Sequence, residues 1–273
     1  MKIYGKKLSQ IILRDLKKEV IQLKKKKIAP TLAVIQIGDD IPSKIYIDQK
    51  IKFAEKIGIT VIAHKLSRRV TFEKVINLVR LLKLDPKVKG IIIQRPIPPH
   101  LSSISLSRLI GEKKDVDGFL DKSPYDPPVA LAVFFVLQKI FGKKKFLSFV
   151  RQKKVLLIGR GETAGKPICK LLQKNKIRFI NAHSETNNIE DFERESDIIN
   201  SCVGKKGVLR GVNLKKGAVV IGLGISRRNN RLYGDYDERE IAKKAAFYTG
   251  TPGGVGPLTV AFLMKNVILA SKN

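Results

Sequence analysis

The stretch Lys154-Val155-Leu156-Leu157-Ile158-Gly159-Arg160-Gly161-Glu162-Thr163-Ala164-Gly165-Lys166-Pro167 constrains the fold more than any other part of the chain. A short apolar run ends in glycines and gives way to Pro167, Ile168, Leu171 and Leu172, the pattern of a strand, a tight turn and an amphipathic helix. Gly159 permits the turn, Gly161 lets backbone approach a pyrophosphate, and Ala164 keeps helix and strand close. The helix N-terminus adds N–H groups and a partial positive charge. The spacing Gly159-x-Gly161-x-x-Ala164 therefore fits a dinucleotide-binding turn, although a plain glycine turn in an α/β domain shares it.

A chain of 273 residues with 43% hydrophobic content can bury a sizeable core, and two domains of ordinary size are expected. Its net charge of +30, from 54 Lys and Arg against 24 Asp and Glu, favours nonspecific adhesion to polyanions at low salt. The cations are spread through helical segments and not gathered in one arm with interleaved aromatics, so a solvated cationic surface is expected over a dedicated nucleic-acid site. Cys169 and Cys202 lie in apolar surroundings without C-x-x-C spacing and read as reduced core thiols. No long uncharged apolar run and no signal-peptide pattern occurs, so a cytoplasmic protein without membrane attachment is expected.

From the N-terminus, an amphipathic helix is predicted over about Leu8 to Leu23, with Ile11, Ile12, Leu16, Val20 and Leu23 inward. Thr31–Ile37 reads as a buried parallel strand closed by Gly38-Asp39-Asp40. A helix over Ser43 to Ile57 places Tyr46 and Lys50 one turn apart on one face. The pair is either a solvated lysine stem lying on a ring or a catalytic amine beside an aromatic platform. A second strand is predicted over Gly58–Ala63, then a helix over Phe72–Leu84 with Val75, Ile76, Val79 and Leu82 inward, then a third strand from Gly90 ending at Gln94 before prolines. Ligands bind at the C-terminal ends of strands in open α/β sheets, so Gln94 is either a ligand-facing group or a satisfied loop amide. Asp115-Val116-Asp117 has no further carboxylates at ligand spacing, and no metal is assigned.

These residues together make the chain resemble the bifunctional methylenetetrahydrofolate dehydrogenase/cyclohydrolase family. The resemblance rests on Ser43-x-x-Tyr46-x-x-x-Lys50-x-Lys52, Gly90-Ile91-x-x-Gln94-x-Pro96-x-Pro98-x-His100 and Lys114-Asp115-Val116-Asp117-Gly118-Phe119. It continues through Gly159-Arg160, Gly165-Lys166-Pro167, His183-Ser184-x-Thr186, Val203-Gly204-Lys205, Gly234-Asp235 and Pro252-Gly253-Gly254-Val255-Gly256-Pro257-Leu258-Thr259. The last run is the most specific.

The resemblance implies an α/β fold of two lobes with a folate cleft between them. One lobe, residues 1–127 and 252–273, is an N-terminal α/β unit completed by the last helix (Leu258 to Ala270); the other, residues 128–251, is Rossmann-type. It further implies Lys50 as the central catalytic amine, Tyr46 under the aminobenzoyl ring, Gln94 tuning Lys50, and Asp117 holding the pterin. Pro252, Gly253 and Gly254 complete the substrate site, and Gly159, Arg160, Gly161, Ala164, Gly165, Ser184 and Ile225 the cofactor site. A homodimer acting on tetrahydrofolate one-carbon derivatives is implied as well. NADP is expected over NAD, because Arg160 and Ser184 can hold a 2′-phosphate; Glu185 either reads the ribose of NAD or points to solvent.

Departures from the family pattern are Tyr125-Asp126-Pro127-Pro128 for the usual Pro-Cys-Thr-Pro, Gly161 for serine, Gly222 for aspartate, Arg95 for an apolar residue and Gly250 for proline. Most are expected on the cofactor side, which keeps open a cyclohydrolase or folate-binding protein with weak redox activity. A nucleic-acid binder is the third alternative and rests on charge alone.

Overall fold

A computed structural model of the chain describes residues 1–101, 103–228 and 231–273. In chain order its elements are β1 (Lys2–Ile3), α1 (Gly5–Lys25), β2 (Thr31–Ile37), α2 (Ile41–Ile57), β3 (Thr60–Leu66), α3 (Phe72–Leu84), β4 (Gly90–Ile93), α4 (Ser103–Ile110), α5 (Pro128–Phe141) and α6 (Phe146–Arg151). There follow β5 (Val155–Ile158), α7 (Gly165–Lys174), β6 (Phe179–Ala182), α8 (Ile189–Glu195), β7 (Ile198–Ser201), β8 (Val219–Gly222), β9 (Ile225–Arg228), β10 (Arg231–Gly234), α9 (Glu238–Ala242), β11 (Phe247–Thr249) and α10 (Val255–Ala270).

The chain divides into two compact units, one of residues 10–128 and 260–273, the other of residues 1–9 and 129–259. In the first, three parallel strands run in the order β3-β2-β4, with Leu32 opposite both Val61 and Gly90. β2 is buried along its whole length, as befits a central strand covered on both faces. Leu32 and Val34 pack with Leu16, Val20 and Leu23 of α1 and Met264, Val267 and Ile268 of α10. Ala33 and Ile35 pack on the other face with Val75, Val79 and Leu82 of α3.

In the second unit six parallel strands run in the order β1-β11-β8-β7-β5-β6, beside a β9–β10 hairpin. β1 pairs with β11, and the Lys6 N–H donates to the Gly253 carbonyl. Residues 1–9 and 252–259 therefore group with this sheet, whereas the sequence places them with the other lobe.

Three local readings change. Ile11 is 48% exposed and Leu13 buried, because at about 100° per residue Ile11 lies some 140° from Leu16. Ile76 is only partly buried, while Val75 and Val79 are fully so. Gly58 does not open β3; it caps α2 in the left-handed region at φ 84, its N–H returning to Ala54 and Glu55.

Glu193 of α8 is buried beneath the 3-10 turn Gly211–Asn213 and accepts a hydrogen bond from Asn213 Nδ2 at 3.0 Å. Burial pushes its pKa up to about 7. An acid whose folded-state pKa is raised contributes stability that is full below its unfolded value and lost as pH rises through the folded one. Glu193→Gln keeps the acceptor and removes the charge, so it is expected to stabilise the protein above about pH 7 by about 1–3 kcal/mol and to leave stability near pH 4.5 unchanged. Urea unfolding midpoints across that range check this; equal midpoints for parent and variant at alkaline pH contradict it.

Candidate active site

Asp40 caps α2, its carboxylate accepting from the Ser43 N–H at 2.8 Å, and Pro42 fits the first turn. Ser43, Ile47, Lys50, Ala54 and Ile57 then form one buried stripe at helical spacing, so Lys50 occupies a core position and is only 8% exposed. This excludes the solvated-stem alternative. A buried ammonium needs a partner, and β4 supplies one. The Gln94 N–H extends the ladder to the Ile35 carbonyl, and Lys50 Nζ donates to Gln94 Oε1 at 2.7 Å. Gln94 Nε2 donates to the Arg95 carbonyl at 2.8 Å, which fixes the amide with its oxygen toward the lysine. Ser43 Oγ lies between the Asp40 carboxylate, 2.6 Å away, and the Arg95 carbonyl, 3.0 Å away. Its single proton serves one acceptor at a time.

Lys50 Nζ stands 5.9 Å from the centroid of the Tyr46 ring. Burial pulls the Lys50 pKa below the ordinary lysine range, and Asp117 opposes that shift. Burial raises the Tyr46 pKa, so its hydroxyl stays protonated. For Asp117 burial is again the leading cause and raises its pKa, while the charges of Lys50 and Arg95 lower it. Lys50, Tyr46, Gln94 and Asp117 are thus brought together within one unit.

The turn that carries Asp117 is locked from below. Gly118 lies at φ 66, and a Cβ there would sit 2.5 Å from the Tyr125 carbonyl and 2.8 Å from Pro127 N. Asn266 of α10 donates to the carbonyls of Val116, at 2.8 Å, and Asp126, at 3.0 Å. Asp115 accepts from the Leu120 N–H at 2.9 Å; burial raises its pKa to about 6. The unusual Tyr125–Pro127 segment therefore braces the Asp117 turn. This segment and Arg95 lie in the unit of Lys50, whereas Gly161, Gly222 and Gly250 lie in the other, so most of the departures fall in the unit of the glycine turn, as expected.

In the other unit β5 ends at Gly159, φ 112, where a Cβ would lie 3.0 Å from Cys202 O and Sγ. Close packing of helix on strand falls to Gly165, whose Cβ would run into the Gly159 carbonyl, and not to Ala164, which precedes α7 at φ −140. Nothing lies within 4 Å of the Cβ position of Gly161, leaving room for a phosphate to meet backbone. Arg160 Nη2 donates to Glu185 Oε1 at 3.0 Å, both side chains largely exposed. Glu185 therefore turns back onto the arginine and does not point free into solvent. Ser184, next to it, and Ile225, at the start of β9, are both exposed. Gly253 lies at φ 92 after Pro252, and Gly254 is buried where a Cβ would meet the Gly250 carbonyl.

Sequence reasoning missed two groups here. Asp235 is fully buried and accepts from Ser201 Oγ and from the N–H groups of Val203, Gly204 and Lys205, at 2.7–3.1 Å. It shapes the loop whose first residue, Cys202, touches Gly159. Tyr236 occupies the space that a side chain at 222 needs, its ring and hydroxyl 2.7 Å from a Cβ there, and its hydroxyl donates to the Thr249 carbonyl. Gly222 and Tyr236 form a matched pair; only a comparison of both positions at once could reveal it.

Two family models match the chain: "Tetrahydrofolate dehydrogenase/cyclohydrolase, catalytic domain" over residues 3–117 and "Tetrahydrofolate dehydrogenase/cyclohydrolase, NAD(P)-binding domain" over residues 138–273. A bifunctional protein FolD of Acetivibrio thermocellus is 37% identical over 277 residues, covering 98% of this chain and 95% of that protein. The crystal structure of FolD methylenetetrahydrofolate dehydrogenase/cyclohydrolase from Campylobacter jejuni superposes with a TM-score of 0.93 at 30% identity, covering 100% of this chain and 99% of that one. The Trypanosoma brucei enzyme, complexed with NADP cofactor and inhibitor, gives 0.92 at 31% identity, covering 100% and 97%.

The matched pair carries a prediction. Gly222→Ala is expected to destabilise the parent by about 1–3 kcal/mol through overpacking. In a Tyr236→Val background that cost should vanish, giving a coupling of at least about 1 kcal/mol in a double-mutant cycle of unfolding free energies; additive effects contradict the pairing.

Proposed function

The chain belongs to the tetrahydrofolate dehydrogenase/cyclohydrolase family, and on that premise we propose how its residues divide the work of NADP-dependent oxidation of 5,10-methylenetetrahydrofolate and hydrolysis of the methenyl product to 10-formyltetrahydrofolate. The observation that carries the assignment is the buried Lys50 amine on the Gln94 amide, with Asp117 as its counter-charge.

Asp117 accepts the adjacent N–H donors of the pterin edge with its two oxygens, which fixes the ring by charge-assisted hydrogen bonds. Tyr46 supports the aminobenzoyl ring. Folate held this way keeps its one-carbon bridge in a fixed orientation, and such positioning lowers the barrier to reaction. NADP, when bound, accepts a hydride from that bridge. Gly161 would give its phosphates room beside backbone and the start of α7, and Arg160 with Ser184 would hold the 2′-phosphate.

The methenyl product is a cation. Lys50 in its neutral form takes a proton from the water that attacks the bridging carbon, its ammonium returns that proton to the nitrogen that leaves as the C–N bond opens, and the remaining hydroxyl proton passes to solvent as the formyl C=O forms. Burial lowers the lysine pKa, so both forms are accessible nearer neutral pH than on a surface lysine. Gln94 accepts from either form and keeps the amine aimed. Tyr46 remains a neutral phenol beside it.

On this reading the folate chemistry belongs to residues 1–127 and 252–273 and nucleotide binding to residues 128–251. The family resemblance also supports a homodimer acting in the cytoplasm. No helix among the described residues is long and apolar enough to cross a membrane. The +30 charge supports only nonspecific contact with nucleic acid, which weakens steeply as salt rises.

Lys50→Met keeps the stem volume and removes the amine, so cyclohydrolase turnover is expected to fall by about a hundredfold to ten-thousandfold with the fold intact. Methenyltetrahydrofolate hydrolysis, corrected for the spontaneous reaction, measures it; parent-level turnover in a folded variant refutes the role of Lys50. The Arg160–Glu185 pair sets cofactor choice. NADP must exchange the Glu185 carboxylate for its 2′-phosphate, so Arg160→Ala should erode the preference for NADP over NAD by about 1–3 kcal/mol, and Glu185→Ala should increase it. Catalytic efficiencies with both cofactors decide: selectivity unmoved by either change removes the pair from cofactor discrimination.

A further inference from the structure

The stretch that follows β11 is held from two directions, all within one unit. From the segment after β10, Tyr236 donates its hydroxyl to the Thr249 carbonyl, and Glu238 Oε1 accepts from the Thr251 N–H at 3.0 Å. From the N-terminal segment, Lys2 Nζ lies 2.6 Å from Glu238 Oε2. Three residues further on, a Cβ at Gly5 would run into the Gly254 carbonyl, and the Lys6 N–H donates to the Gly253 carbonyl at 3.0 Å. Lys2 and Glu238 therefore act at the start of Thr251–Gly254, and Gly5 and Lys6 at its end.

Position 250 makes room for the ion pair. The family pattern carries proline there, and this chain carries a buried glycine. A Cβ at 250 would run into Lys2 Cε and lie 2.8 Å from Lys2 Nζ and 3.0 Å from Glu238 Oε1. A side chain at 250 and the lysine thus compete for one space. The ring of a proline restricts the backbone by itself; glycine leaves it free, and the restraint must come from elsewhere. The Glu238 carboxylate supplies it, because a charged acceptor holds a backbone N–H more strongly than a neutral one. Lys2 in turn holds the carboxylate. Their side chains are 33% and 28% exposed, so the ion pair itself is modest in strength and screened by salt.

We propose that Lys2 and Glu238 are positioning residues for folate binding: with glycine at 250, their ion pair fills the space of the missing side chain, holds the Thr251 N–H and so sets the conformation of Pro252–Gly254. The inference rests on the reading of Pro252, Gly253 and Gly254 as part of the substrate site. It gives the N-terminal segment a part in folate binding.

The test is steady-state kinetics of the full-length protein with methylenetetrahydrofolate and NADP. Glu238→Ala removes the acceptor of the Thr251 N–H and should raise KM for methylenetetrahydrofolate about tenfold. Lys2→Met and Glu238→Gln each lose only the ion pair and should raise it about threefold. Gly250→Ala displaces the lysine, so it should match Lys2→Met in the parent and add nothing in a Lys2→Met background. KM for NADP should stay at the parent's value, and Lys2→Arg should restore the folate KM. Between about 0.05 and 0.5 M salt the ratio of the Lys2→Met folate KM to the parent's should shrink toward one. Gly253→Ala is the control for the loop: Gly253 lies at φ 92, where alanine is strained, so its folate KM should rise. If Glu238→Ala does not fold, Glu238→Gln and Lys2→Met decide. Parent-like folate KM values for the Lys2 and Glu238 variants beside a raised one for Gly253→Ala overturn the role of the pair and leave the loop assignment standing. KM values for folate and NADP that rise together, with a ratio indifferent to salt, reduce the pair to packing and overturn the proposal. A folded Gly253→Ala protein with the parent's folate KM overturns the loop assignment and this inference with it.

Discussion

The cost of burying one ammonium organises the catalytic unit. Lys50 occupies a core position on α2, and a charge taken from water there is expensive unless it is paired and hydrogen-bonded. Each surrounding feature reduces that cost. Gln94 accepts from Nζ, the Arg95 carbonyl holds the Gln94 amide in the useful orientation, the Asp40–Ser43 cap fixes the start of the helix, and Asp117 supplies the opposite charge. What remains of the penalty lowers the lysine pKa, the property that the proposed proton transfers would use.

The parallel sheet provides the rigidity that such a site needs. β2 is central and buried along its length, so β4 and the start of α2 are set against a fixed strand, and Gln94 extends the ladder by one more bond at the C-terminal end. The Asp117 turn is braced by glycine at 118, by Tyr125 and Pro127 beneath it, and by Asn266 of α10. The segment that departs most from the family pattern is thus a structural support of the folate side. In the other unit Asp235, just after β10, plays a comparable part, holding the Cys202–Lys205 loop through three backbone N–H groups and the end of β7 through Ser201 Oγ.

Much of this was legible in the residues, because strong periodicity and chain punctuation act locally. Thr31–Ile37 and Phe72–Leu84 form the strand and the helix that their patterns predict. The errors have local physical causes. Gly58 was open to two uses, since a left-handed cap and a strand start both suit glycine, and the helix claims it. Gly165 and Ala164 are adjacent, and spacing alone did not say which Cβ would meet the Gly159 carbonyl. Ion pairing across the sheet ends, Arg160 with Glu185, depends on where two separate strands finish, and the filling of the Gly222 space by Tyr236 depends on a contact 14 residues away in sequence. Such pairings are set by tertiary placement, which periodicity does not encode.

The state of Lys50 itself is the most direct check on this account. In protein carrying carbon-labelled lysine, the resonance assigned to Lys50 by its absence in Lys50→Met can be followed against pH alongside those of the surface lysines. The account predicts that Lys50 titrates below the ordinary lysine value of 10.5, and that Asp117→Asn, by removing the opposing charge, lowers it further. A Lys50 that titrates together with the surface lysines, unmoved by Asp117→Asn, would contradict the claim that burial prepares this amine for proton transfer.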